Sequence, residues 1–149
     1  MKRKLSLLTA MILVVSTLFV PALAESAEPV KIGAIAPLTG SLATYGESVA
    51  NGIKLAVAEI NAAGGVLGGR PLEVTYMDDK ADSTESANSF NMLVSDGNKA
   101  VIGSVTSGVT AGLAALADSE GMLLLTPTAT ADTITDGYSS VFRACFRDS

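Results

Sequence analysis

Two short stretches concentrate hydroxyl groups where a small anion could be held. Ser104-Val105-Thr106-Ser107-Gly108 follows the apolar run at residues 99–103. Thr126-Pro127-Thr128-Ala129-Thr130-Ala131 ends a second apolar run that begins at residue 122. Hydroxyls donate and accept hydrogen bonds without carrying charge. The first stretch also opens a helical pattern with Ser107 as candidate N-cap, and the free N–H groups and positive end of a helix favour an anion. A carboxylate can thus be bound without a neighbouring Lys or Arg, and neither stretch contains one. Ordinary helix capping is the alternative, and it needs only one of these hydroxyls.

Other chemistries find little support. The sequence has no histidine, so no Ser-His-Asp triad can be built from it, and neither Ser104 nor Ser107 sits in G-x-S-x-G. Gly33 and Gly40 are too far apart for a dinucleotide fingerprint. The glycines from Gly64 to Gly69 follow a helix and lack the Lys-Ser/Thr of a phosphate loop, which makes them turn residues. Asp78-Asp79-Lys80-Ala81-Asp82 matches a D-D-x-x-D metal string, but that string works from a helix and here it follows a strand. A solvated strand end with Asp as turn former is the competing reading. The single cysteine, Cys145, allows no intrachain disulfide, and a Cys/His zinc site fails on counting. Neither a cofactor nor a metal is expected, and no enzymatic activity.

The elements that must position the hydroxyl loops alternate in period. Residues 30–37 are apolar, β-branched and bounded by Pro29 and Pro37, as in a buried strand. From about 45 to 63, Val49, Ile53, Val57 and Ile60 recur at helical spacing, and Gly64-Gly65 ends the helix. Residues 72–77 alternate as a strand. Ser83 or Thr84 is the candidate N-cap of a second helix with Ala87, Phe90 and Val94 inward, closed by Asp96-Gly97. Residues 99–103 form a third strand. A helix with Val109, Leu113, Leu116 and Ala117 inward runs to Gly121, a fourth strand covers 122–126, and a fifth begins at Val141. Strands apolar on both faces between helices define an α/β fold: a parallel sheet with helices on both faces. Both hydroxyl loops then fall at carboxyl ends of strands, where such sheets place ligands.

The 149 residues suffice for one domain with a real core. The net charge is −5, and all three basic residues before position 25 lie in Lys2-Arg3-Lys4. The rest carries seven basic against fifteen acidic residues, a net of −8. An acidic surface without a basic stripe argues against nucleic acid and anionic membrane surfaces. Lys2-Arg3-Lys4, the apolar stretch from 5 to 20, Pro21 and Ala22-Leu23-Ala24 together read as a secretory signal cleaved before Glu25. That stretch is 16 residues long, short of the roughly 20 that cross a bilayer. The expected organisation is a signal peptide over 1–24, a linker over 25–29 and a folded lobe over 30–149.

From residue 30 onward the sequence resembles the leucine/isoleucine/valine-binding proteins of ATP-driven importers, which have the type I periplasmic binding fold. The landmarks are IGAIAPLTGSLATYG, EINAAGGVLGG, the YMDD strand end, VIGSVTSG and LLLTPTATA. In that family an amino acid is clamped between two hinged lobes, periplasmic binding proteins being a known instance of hinge closure. Matched motif to motif, the resemblance implies that Ser107 and Thr130 bond the ligand carboxylate. It implies that the carbonyl of Thr128 accepts from the ligand ammonium, that Tyr45 lines the pocket, and that Val105 and Thr106 flank the same wall. The family runs to well over twice this length, so residues 30–149 are expected to be an incomplete N-terminal lobe, with its own returning segment, the second lobe, the hinge and the acidic residue that pairs with the ammonium outside these residues. The resemblance implies a monomeric periplasmic protein that binds a small amino acid and hands it to an inner-membrane permease. An exported ligand sensor and a binder of amides or aromatic acids are the alternatives.

Overall fold

The protein is described by a computed structural model covering residues 28–149. The expected signal peptide and most of the expected linker lie outside the described residues. Five strands alternate with helices: β1 (Val30–Ala36), α1 (Ala43–Ala62), β2 (Leu72–Asp78), α2 (Ser83–Ser95), β3 (Ala100–Ile102), α3 (Ser107–Glu120), β4 (Leu123–Thr126) and β5 (Val141–Arg143). A single 3-10 turn, Asp132–Ile134, precedes β5. The elements expected from periodicity are all present, with ends displaced by one or two residues.

The sheet is parallel throughout, in the order β2-β1-β3-β4-β5. The chain steps outward from β1 to β2, crosses back past β1 to β3, and continues outward to β5. That reversal opens a crevice at the carboxyl ends of β1 and β3, the place where open α/β sheets hold ligands. Glycines with left-handed backbone turn the chain after α1 and α3, at Gly64, Gly65 and Gly121.

The two faces of the sheet are covered unequally. On one, Ile35, Val101, Leu124 and Val141 pack with Phe90 and Leu93 of α2 and Leu113, Ala114 and Ala117 of α3. Full burial of each large side chain here contributes roughly 1.5–3 kcal/mol. The sequence stripe for α2 missed Leu93, which is fully buried, while Val94 only packs at the margin. On the other face α1 lies alone. Its Val49, Ile53 and Val57 line an apolar groove with Ile32, Val74, Ile102 and Leu125, and Ile60 is exposed.

Two caps differ from expectation. The N-cap of α2 is Asp82, not Ser83 or Thr84. Its carboxylate accepts from the N–H groups of Thr84 and Glu85, two bonds where a hydroxyl makes one. The N-cap of α3 is Thr106, and Ser107 is the first helical residue.

At the start of α1, Gly46 is buried against the loop that leaves β1, and a Cβ there would overlap the Pro37 carbonyl. Backbone cannot swing aside as a side chain can. Gly46→Ala is therefore expected to lower stability by about 1–3 kcal/mol in urea unfolding. An unchanged midpoint would mean that α1 slides at no cost.

Candidate functional site

The two hydroxyl loops lie side by side. They leave the carboxyl ends of β3 and β4, which are adjacent and parallel. Three side chains tie them together. The Thr126 hydroxyl donates to the Ser104 carbonyl at 3.0 Å, and the Thr128 hydroxyl donates to the Val105 carbonyl at 2.7 Å. The Ser107 hydroxyl accepts from the Ala131 N–H at 3.2 Å. Thr110, one turn into α3, adds bonds to the carbonyls of Thr106 and Ser104.

Thr106 holds the N-cap position of α3, but no side-chain hydrogen bond from it closes the start of the helix. Simple capping thus fails to account for the hydroxyls, and the first N–H groups of the helix remain available, with the positive end of its dipole behind them. Among the described residues the Thr130 hydroxyl and N–H have no hydrogen-bond partner, and neither does the Thr128 carbonyl. Ser107 uses a lone pair on Ala131 and keeps its proton to donate.

A concavity of about 460 Å³ opens on these groups. Tyr45 borders it from α1, Val105 and Thr106 from the loop after β3, and Thr128 and Thr130 from the loop after β4. Five of the six residues singled out from the sequence therefore meet on one wall. Ser107 stands beside them, outside the lining, joined through Ala131. Sequence reasoning missed Leu42, Cys145 and Phe146, which also border the space. Tyr45 and Phe146 are 64% and 76% exposed. Two aromatic rings this open, facing one concavity, leave apolar surface for a ligand or another layer of protein to cover.

The Asp string positions these loops. Asp78 accepts from the N–H groups of Leu38, Thr39 and Lys80 and from the Thr39 hydroxyl, and so fixes the loop that leads to Leu42 and Tyr45. Asp79 is fully buried. It accepts from the buried Ser104 hydroxyl and from the Ala81 N–H, which joins the ends of β2 and β3. Asp82 caps α2. All three carboxylates are engaged with the protein itself, as turn formers.

Burial pushes the Asp78 carboxyl up, but the Thr39 hydroxyl and the three backbone donors outweigh it and hold it below the usual carboxylate value. A carboxylate lowered by folding stabilises the fold above its unfolded value of 3.8, and that contribution is lost as pH falls through the folded value. Asp78→Asn is expected to be less stable than wild type at neutral pH, with the gap narrowing below about pH 4. Urea unfolding of both proteins across this range checks it; a gap independent of pH would place the stabilisation elsewhere.

The fold and the concavity at the carboxyl edge together define an α/β lobe with a parallel sheet. The family described as periplasmic binding protein matches residues 29–147. A Leu/Ile/Val-binding protein of Rhizobium johnstonii, BraC3, is 43% identical over 120 residues, which cover 80% of this chain and 32% of that protein. The branched-chain amino acid substrate-binding protein LivJ of Streptococcus pneumoniae, solved with isoleucine, superposes with a TM-score of 0.77 at 40% identity, covering 81% of this chain and 35% of that one. A solute-binding protein of Rhodopseudomonas palustris, solved with 3,4-dihydroxybenzoic acid, gives a TM-score of 0.70 at 26% identity, covering 78% and 32%. The chain belongs to the periplasmic binding protein family. It spans about a third of the length of these relatives.

Proposed function

We propose that this chain is the carboxylate-holding lobe of an exported solute-binding protein for branched-chain or related small amino acids, which delivers them to the permease of an ATP-driven importer. The observation that carries the reading is the start of α3, without a side-chain cap, beside the Thr130 hydroxyl and N–H, which have no partner among the described residues, one strand apart at the carboxyl edge. Ser107 and Thr130 bond the ligand carboxylate, the Thr128 carbonyl accepts from its ammonium, and Tyr45, Val105 and Thr106 form the wall around it. The ligand is bound and released unchanged, with neither cofactor nor metal. The protein acts as a monomer in the periplasm, after cleavage of a signal peptide following Ala24.

Each charge-assisted bond to the carboxylate contributes roughly 1.5–3 kcal/mol when water is excluded. One open lobe excludes little water, so this chain alone binds weakly. A chimera in which residue 149 is followed by the remaining two-thirds of the Streptococcus pneumoniae protein supplies the second wall. Calorimetry of the chimera with leucine, isoleucine and valine is expected to give micromolar or tighter binding, and the 149-residue chain alone millimolar at best. Micromolar binding by the chain alone, or none by the chimera, contradicts the reading.

The relative holding 3,4-dihydroxybenzoic acid supports a second reading, a binder of aromatic acids, since that ligand also presents a carboxylate beside a ring. Competition between isoleucine and 3,4-dihydroxybenzoate in the chimera separates the two. Transport and ligand sensing share this site, and they part on whether the bound protein stimulates a permease.

A further inference from the structure

One side chain, Arg143, spans the loop that carries Thr128 and Thr130, while the Cys145 thiol adds a bond to the Ala129 carbonyl. Arg143, the last residue of β5, is half-buried. One terminal nitrogen donates to the carbonyls of Ala129 at 3.2 Å and Thr130 at 2.9 Å. The other donates to the carbonyls of Ala131 at 3.0 Å and Asp132 at 3.2 Å and to the Thr135 hydroxyl at 3.3 Å. Four successive carbonyls therefore turn toward one guanidinium. The N–H of Ala131 goes to Ser107, and that of Thr130 is left without a partner among the described residues.

No carboxylate pairs with Arg143 among the described residues. Among the described residues its charge is answered by four carbonyl dipoles and one hydroxyl. Arg147 bonds both the carbonyl and the carboxylate of Asp132, and the Asp148 N–H donates to the Thr130 carbonyl, but neither residue spans the loop. Only a planar fork with several donors in fixed directions can gather carbonyls in this way; the ammonium of lysine is a point charge.

We infer that Arg143 is the positioning residue of the carboxylate site. Its guanidinium draws the carbonyls of 129–132 to one side so that the Thr130 N–H is presented on the other, and its uncompensated charge lies behind the anion. It acts on the ligand through the loop and through the field, without touching it. The inference rests on the proposed carboxylate site for its effect on ligand. The clamp itself is read without ligand.

Arg143→Gln removes the charge and most of the donors, and Arg143→Lys keeps the charge but replaces the planar fork by one compact ammonium. Amide hydrogen exchange of the 149-residue chain reads the clamp. In Arg143→Gln, exchange of the bonded amides within 129–132, those of Ala129 and Ala131, is expected to rise about tenfold or more, with β1 and α2 unchanged. Calorimetry of the chimera with isoleucine reads the consequence: about tenfold or more weaker binding in Arg143→Gln and an intermediate loss in Arg143→Lys. Unchanged exchange at 129–132 in a folded Arg143→Gln protein overturns the clamp, and so does wild-type behaviour of Arg143→Lys in both measurements. Raised exchange with unchanged isoleucine affinity overturns the positioning role. If Arg143→Gln does not fold, Arg143→Lys is expected to show both partial effects, and failure of both variants to fold overturns the inference in favour of a role in the fold. A wild-type chimera that binds no amino acid sinks the functional reading alone, because exchange still decides the clamp.

Discussion

In the chimera, replacing Ser107 by Ala and Thr130 by Val together is expected to weaken isoleucine binding by about a hundredfold or more while the fold persists. Each substitution removes one hydroxyl donor to the carboxylate. At roughly 1.5–3 kcal/mol per charge-assisted bond, the pair accounts for about 3–6 kcal/mol, or two to four decades of affinity. Neither side chain belongs to the buried core. Thr130→Val keeps the shape of the residue, and Ser107→Ala leaves the helix position occupied by a good helix former. Calorimetry of the double variant, with a thermal scan to verify the fold, decides it. Retained affinity would move the carboxylate elsewhere on the edge.

The second large effect concerns stability. Asp79→Ala is expected to cost about 3–5 kcal/mol in urea unfolding. Asp79 and Ser104 are both fully buried, and their bond joins the ends of β2 and β3. Truncation strands the Ser104 hydroxyl in an interior that water does not reach and takes the acceptor from the part-buried Ala81 N–H. Replacing Asp79 and Ser104 together by apolar residues is expected to recover part of the loss, because the hydroxyl is then no longer stranded and only the Ala81 N–H lacks its partner. A cost near zero for the single change would show that water or a shifted loop satisfies Ser104.

Much of this was legible in the sequence because the signals were local. Each strand is a short apolar run bounded by Pro, Gly or Asp, and each helix carries a stripe of period near 3.6. The loops with Val105, Thr106, Thr128 and Thr130 could be grouped because they leave parallel strands, which bring such loops to one edge; Tyr45 joined them only through the family resemblance. What escaped was non-local or a matter of competition. The Asp82 cap was misread because Ser83 and Thr84, both good caps, follow it directly, and only the count of bonds favours the carboxylate. Leu93 was passed over for Val94, one position away on the same helix, since the stripe drifts around the helix surface. Asp79 and Ser104 are 25 residues apart, and no pattern joins them. Arg143 gave no signal at all, because its partners are backbone carbonyls and a sequence does not say where these point. Cys145 and Phe146 border the concavity only because β5 delivers them there.

The most direct measurement is a crystal structure of the chimera grown with isoleucine. The ligand carboxylate is expected within hydrogen-bonding distance of the Ser107 hydroxyl, the Thr130 hydroxyl and the Thr130 N–H, in front of the open start of α3. A carboxylate bound only by the grafted two-thirds, or an isoleucine seated away from the loops after β3 and β4, would contradict this.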